Sequence, residues 1–162
     1  MVGASMGIEI ERKFLVVGEN WRLLATDVSH FAQGYLSTVP ERTVRVRLVD
    51  NEAWITIKGK ASGGQRREYE YAIPAADARE LLGELCLQPI IQKNRYRIPA
   101  GELCWEIDEF AGASAGLILA EIELPRVDYP LTLPPWIGSE VTDDPRYTNA
   151  YLAEHPYQEW SS

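Results

Sequence analysis

Histidine, cysteine and methionine are scarce in this chain, with two of each in 162 residues. Cys86 and Cys104 are too few for a disulfide framework, and their apolar neighbours mark them as buried free thiols. His30 and His155 stand apart, as surface or internally satisfied histidines do, so nitrogen-ligated metal chemistry has no cluster to build on. The spacings HExxH, CxxC, GxGxxG and the P-loop do not occur, and serine-nucleophile chemistry is not expected either. Gly63-Gly64 lies in a turn without the lysine of a Walker loop. No stretch approaches the ~20 apolar residues of a membrane helix. The start has neither a basic segment nor the apolar run of a signal peptide, so a cytoplasmic location is the expectation.

Positive charge is also in deficit. Lys and Arg number 16 against 24 Asp and Glu, a net charge of −8. An acidic chain is a poor non-specific binder of nucleic acid or anionic membrane, so neither is expected as a partner. Any anionic substrate must be held by a local cluster of cations. Hydrophobic residues make up 46%, enough for a core, and the length suits one domain. We expect a disordered extension over 1–7, a single domain over 8–155 and a tail over 156–162.

What the chain has in quantity is period-2 alternation. It recurs over 8–16, 31–37, 43–49, 53–58, 67–73, 92–98, 103–110 and 117–124, about eight strands. Short turn-rich gaps separate many of them and favour hairpins. Helical signals are fewer: 74–87, opened by Pro74; a short helix over 20–27 capped by Asn20; and a last helix over 146–154, started by Asp143-Asp144-Pro145. The stretch 125–135 is proline-rich and irregular. The expected fold is mainly β within the α+β class, an eight-stranded antiparallel barrel with a few flanking helices.

Charge falls on one face of strand after strand. Glu9, Glu11 and Lys13 oppose Ile8, Ile10 and Phe14, with Arg12 the exception. Arg45 and Arg47 oppose Val44, Val46 and Leu48; Thr56 and Lys58 oppose Ile55 and Ile57; Glu68 and Glu70 oppose Tyr69, Tyr71 and Ile73. Lys93, Arg95 and Arg97 oppose Tyr96 and Ile98; Glu106 and Asp108 oppose Trp105 and Ile107; Glu121 and Glu123 oppose Ile122 and Leu124. For one strand alone, such a face is ordinarily the solvated side of a half-buried sheet. Here the pattern recurs in seven strands, the opposite faces are apolar and need cover, and most strands bring one sign of charge. Turned inward, these faces would make a charged lumen, one that needs water, metal ions and a polyanion to satisfy it.

Carboxylates at i, i+2 on a strand suit hard divalent cations, so Glu9, Glu11, Asp108, Glu121 and Glu123 are candidate ligands for Mg²⁺, with Mn²⁺ as a substitute. Lys13, Arg45, Arg47, Lys58, Lys93 and Arg95 complement phosphate oxygens along a chain-like anion. Phosphoryl transfer asks for little beyond positioning and charge stabilisation. Trp54, Trp105, Trp136 and Tyr69 are expected in packing rather than as base-stacking platforms.

These residues resemble a known family. Ile8-Glu9-Ile10-Glu11-Arg12-Lys13-Phe14 is similar to the ExExK signature of the CYTH superfamily, the triphosphate tunnel metalloenzymes. Gln33-Gly34-Tyr35-Leu36, Arg45-Val46-Arg47, Thr56-Ile57-Lys58, Arg67-Glu68-Tyr69-Glu70, Lys93-Asn94-Arg95-Tyr96, Glu106-Ile107-Asp108 and Glu121-Ile122-Glu123 resemble its later strands in order. The likeness runs from about Ile8 to Leu152 and is nearest to small bacterial tripolyphosphatases. It implies metal held by Glu9, Glu11, Asp108, Glu121 and Glu123, and triphosphate held by the six cations above. Glu9, Glu11, Lys13, Lys93 and Arg95 would be the catalytic set. It also implies a basic contribution from a C-terminal plug helix. Lysines are expected there where Pro145 and Thr148 stand, which leaves Arg146 as the candidate.

The expected activity is metal-dependent hydrolysis of tripolyphosphate to diphosphate and phosphate. The alternatives within the fold are a class IV adenylyl cyclase and an organic triphosphatase acting on thiamine or nucleoside triphosphate. Outside catalysis, the alternative is a polyphosphate-binding module, which would have no use for the paired carboxylates. A homodimer is left open.

Overall fold

Residues 8–62 and 65–160 are described by a computed structural model, the side chains of Ile8 and Glu9 excepted. The expected extension over 1–7 lies outside them. All eight alternating segments are strands: β1 (Ile8–Val16), β2 (Asp27–Ser37), β3 (Thr43–Val49), β4 (Glu52–Lys58), β5 (Gln65–Ile73), β6 (Ile91–Ala100), β7 (Leu103–Ala111) and β8 (Ile118–Glu123). A ninth, β9 (Ile137–Glu140), was not expected, because four residues with a glycine carry almost no alternation signal.

Every pairing is antiparallel. The order is β5-β4-β3-β2-β6-β7-β8-β1, and β1 pairs back onto β5 from Ile8–Arg67 to Ile10–Gln65. Eight strands thus close into a barrel, and the short closing pairing leaves the later part of that edge of β1 to β9. β1 can serve three neighbours because it is long. One edge pairs β8 from Glu11 to Leu15, while the other pairs β5 at its start and β9 at Phe14 and Val16.

Cover for the outward faces is uneven. Phe14, Ile98, Trp105, Ile107, Ala120 and Ile122 pack under Trp21, from a 3-10 turn over Asn20–Leu24, and under Tyr129, Leu131 and Trp136. The proline-rich stretch is therefore a lid on the core rather than a loose loop. Helix α1 (Ala75–Glu84) covers Val46, Ala53, Ile55 and Ile73 with Ala78 and Leu82. Before Ile73 the outer face of β5 is open, and Tyr69 and Tyr71 are 40% and 57% exposed. The expectation that helices cover every apolar face fails there. No helix of the described residues is long and apolar enough to cross a membrane.

The helices also start and stop differently from expectation. Pro74 is the residue before α1, and α1 ends at Glu84. Asn20 does not cap its turn; Glu19 takes the capping position, and its side chain accepts from Arg22 Nε rather than from a backbone amide. The last helix is divided. Asp144 accepts from the Arg146 amide and holds a 3-10 turn over Pro145–Tyr147, then extended Thr148 caps the Tyr151 amide of α2 (Asn149–Glu154). The expected tail is packed down as far as Trp160: the Tyr157 amide donates to Ser114 Oγ and the Tyr157 ring stacks edge-on to Trp160.

Gly34 on β2 marks a tight contact. A Cβ there would stand 2.9 Å from Cys86 Cβ and 3.2 Å from both Cys86 Sγ and Ile90 Cγ2. Gly34→Ala should cost about 1–3 kcal/mol through overpacking. A thermal melt checks it, and an unchanged melting temperature would show that the 86–90 segment yields freely.

Candidate active site: the charged interior of the barrel

Residues directly opposite one another in an antiparallel pair point to the same side. The register therefore assembles rows across the inner wall. Tyr35, Arg45, Thr56 and Glu70 form one row, and Thr43, Lys58 and Glu68 another. Phe31, Lys93 and Phe110 form a third, and Arg97, Glu106, Glu121 and Lys13 a fourth. Beyond the last row, Glu11 on β1 faces Glu123 on β8.

The charged faces do point inward, and Lys13, Arg45, Lys93, Arg95, Asp108 and Glu121 are all buried. Asp108 is the hub. It accepts from Lys93 Nζ at 2.6 Å and from Arg95 Nε and Nη2 at 2.7 and 2.8 Å. Glu121 lies 3.3 Å from Lys13 Nζ and 3.7 Å from Arg95 Nη2. Much of the interior charge is thus satisfied wall to wall. The sequence expectation assigned that task to solvent, metal and substrate, because it could not see which residues meet.

The balance of buried charge is nevertheless positive. Three cations from β3 and β6 surround one ring: the guanidinium carbons of Arg47 and Arg95 and Lys93 Nζ stand 4.8, 4.8 and 5.8 Å from the Phe31 centroid. Burial, reinforced by Arg45 and Arg95, pushes Arg47 down to about 9. Burial also pushes Lys93 down to about 7; Asp108 opposes this, while Arg95 and Arg47 add to it. Burial pulls on Arg95 and Lys13 too, but Asp108 and Glu121 outweigh it and hold both above their ordinary values. Buried Arg45 Nε has no hydrogen-bond partner. A pocket of crowded cations with an unused donor is suited to an anion.

Of the sequence candidates, Lys13, Arg45, Arg47, Lys93, Arg95, Asp108 and Glu121 come together in this network. Lys58 faces Glu68 at 3.8 Å on the neighbouring wall. Glu11 and Glu123 stand opposite each other, and the Glu9 side chain lies outside the described residues. Arg146 is not brought to the network. It is 54% exposed, pairs with Asp144 at 2.6 Å and lies over Tyr147 and Trp160. The side chain that the C-terminal segment sends inward is Asn149, whose Oδ1 accepts from Gln33 Nε2 and Lys93 Nζ.

Sequence reasoning missed Asn149, Gln33 and Phe31 as site residues. Gln33 and Phe31 could have been found from their parity with Tyr35, whereas nothing local marks Asn149. Arg66 was missed because β5 begins at Gln65, two residues earlier than expected; Arg66 stands opposite Glu9. Residues 112–116 do spell G-x-S-x-G, contrary to the expectation of no serine-nucleophile signal. Ser114 is buried in a 3-10 turn between strands, with its hydroxyl taken by the Tyr157 amide, so it is no nucleophile elbow. His30 shares a contact with Asn94 and His155 stacks on Tyr151, as satisfied histidines do.

The chain has counterparts among known proteins. Residues 7–148 match the CYTH domain family. The inorganic triphosphatase of Acetivibrio thermocellus is 45% identical over 153 residues, covering 94% of this chain and 97% of that protein. The inorganic triphosphatase of Nitrosomonas europaea is 38% identical over 151 residues, covering 90% and 96%. A crystal structure of an inorganic triphosphatase superposes with a TM-score of 0.64 at 33% identity, covering 90% of this chain and 97% of the other. With a closed antiparallel barrel, an inward charged face and a family match that spans every strand of the described residues, this chain belongs to the CYTH domain family.

Proposed function

We propose that this chain hydrolyses inorganic triphosphate to diphosphate and phosphate inside its barrel, as a cytoplasmic enzyme. The observation that carries this reading is the convergence of Arg45, Arg47, Lys93 and Arg95 on one buried region where the buried carboxylates, Asp108 and Glu121, are fewer than the cations. Such crowding costs stability, and a polyanion would repay it. The relatives of matching length and their names agree with it.

In this reading Arg45, Arg47, Lys93 and Arg95 grip phosphoryl oxygens from one side, and Lys13 and Lys58 from the other walls. Guanidinium groups fit phosphate oxygens in pairs, and their charge counts for more in a water-poor interior. Phosphoryl transfer then needs an attacking water in line with the leaving diphosphate, and the fixed cations neutralise charge as it moves onto the leaving group.

The expected metal fits the donor chemistry in part. Among the described residues no three carboxylates gather into a ready cage, and Asp108 and Glu121 are engaged by Lys93, Arg95 and Lys13. Glu11 and Glu123, placed opposite each other on β1 and β8, supply the two hard oxygen donors that Mg²⁺ commonly combines with substrate phosphates. We assign Mg²⁺, or Mn²⁺ in its place, to that pair together with Glu9, and give Asp108 and Glu121 the task of holding the cations. When bound, the metal supplies neutralisation of phosphate charge.

Phosphate release from tripolyphosphate, ATP and thiamine triphosphate, each with Mg²⁺, with Mn²⁺ and with chelator, tests this. Fast metal-dependent release from tripolyphosphate over the other two is expected. Preference for an organic triphosphate would move the substrate. Absence of release from all three would remove the hydrolase reading, and a cyclic-nucleotide assay would then test the cyclase.

Arg47→Ala should lower kcat/KM at least ~10-fold, the loss of a charge-assisted contact of about 1.5–3 kcal/mol. Its melting temperature should hold or rise, because Arg47 is a charge held down by burial and by Arg45 and Arg95. Full activity in this variant would put Arg47 outside the substrate site.

A further inference from the structure

The C-terminal segment enters the interior with oxygens. Tyr147 O accepts from Lys13 Nζ at 2.8 Å. Asn149 Oδ1 accepts from Lys93 Nζ at 3.2 Å and from Gln33 Nε2 at 2.9 Å. Gln33 Oε1 in turn accepts from Arg47 Nε at 2.8 Å. Gln33 and Lys93 are both 0% exposed. One neutral side chain therefore ties Lys93 of β6, through Gln33 of β2, to Arg47 of β3.

We propose that Asn149 is a positioning residue that aims the Lys93 ammonium at the substrate without cancelling its charge; this rests on the triphosphatase reading above. An ammonium has three donors. Lys93 spends one on Asp108 Oδ2 and one on Asn149 Oδ1, which leaves the third for a phosphoryl oxygen. With two acceptors fixed, the direction of the third N–H is fixed as well. Held by Asp108 alone, the ammonium could swing about a single contact, and a displacement of about 1 Å can cost ~100-fold in rate.

Neutrality is the second half of the device. A carboxylate at 149 would reach the same two donors but add a negative charge beside the anion site. An amide oxygen orients and leaves the positive balance in place. The placement needs little from α2 itself. Thr148 caps the helix independently, and Leu152 and Ala153 seat it against Tyr35, Phe110 and Leu119. Alanine at 149 therefore keeps the helix, where it is well tolerated.

The test uses the full chain with Mg²⁺ and tripolyphosphate. Asn149→Ala should lower kcat ~10-fold or more with a melting temperature within a few degrees of the parent, since a charged hydrogen bond is lost and no packing is. Asn149→Asp should lose more than Asn149→Ala, chiefly through a higher KM. Asn149→Gln, which keeps the amide oxygen, should recover part of the loss, and it carries the test if the alanine variant does not fold. Parent-like kinetics in both Asn149→Ala and Asn149→Asp would overturn this inference alone. So would an alanine loss that simply follows a lowered melting temperature. An inert parent protein would overturn the triphosphatase reading and this inference together.

Discussion

Glu11→Gln should abolish tripolyphosphate hydrolysis while the protein stays folded. Glu11 and Glu123 are direct cross-strand partners on the inner wall, and like charges so placed repel. Glutamine keeps the size and one oxygen but removes the charge that a hard cation requires. Turnover with Mg²⁺ should fall at least ~10³-fold, a loss of several kcal/mol of charge stabilisation. The Glu11 charge also helps to keep Lys13 above its ordinary pKa, so the variant weakens a cation as well as the proposed metal ligand. Phosphate release and a thermal melt, run side by side, give the answer. Parent-level turnover would remove the metal assignment from the β1–β8 pair. A collapse of the melting temperature would show that Glu11 is structural.

Asp108→Ala should be the most destabilising single change in the interior. Asp108 is buried and takes three hydrogen bonds from Lys93 and Arg95. Removing it takes the nearest counter-charge from two buried cations, leaving Lys93 with Asn149 and Arg95 with Glu106 and Glu121, which costs about 3–5 kcal/mol. For a chain of this length that lowers the melting temperature by roughly 10 °C or more. The pH dependence gives a second check. Burial favours the neutral carboxyl, but Arg95 and Lys93 outweigh it and hold Asp108 well below the ordinary range. As pH falls, the unfolded chain takes up this proton before the folded one does. The contribution is therefore complete above about pH 5, begins to drain away near pH ~4 and is gone only once the folded carboxyl, held well below that range, is protonated too. Asp108→Ala should flatten that acid slope. A variant that melts with the parent, and with the same acid slope, would show that Lys93 and Arg95 find other partners.

The two changes separate two uses of carboxylates in one barrel. Asp108 and Glu121 pair with Lys93, Arg95 and Lys13, the cations proposed to bind phosphate, whereas Glu11 and Glu123 face each other and are the pair proposed for the metal. On the sequence these groups look alike, since each is an acidic residue at i, i+2 on a strand. Only the cross-strand neighbour distinguishes them: Arg95 stands opposite Asp108, and Glu123 opposite Glu11.

The sequence by itself determined the eight barrel strands, the inward face of each and the residue types on that face. Period 2 is a local property of an extended backbone, so Arg45-Val46-Arg47 or Lys93-Asn94-Arg95 declares its two sides without knowledge of the fold. Turn residues placed the boundaries to within a few positions for the same reason. The tertiary structure decided everything that depends on which distant residues meet. Closure rests on the short β1–β5 pairing, and β9 exists because residues 137–140 find the free edge of β1. It also decided that Tyr69 and Tyr71 stay uncovered, and that Arg146 turns out to Asp144 while Asn149 turns in to Lys93. Asn149 and Gln33 lie 116 residues apart in the chain, and no periodicity within a strand reaches that far. Register and chain return set such contacts, and both are properties of the packed barrel rather than of any segment in it.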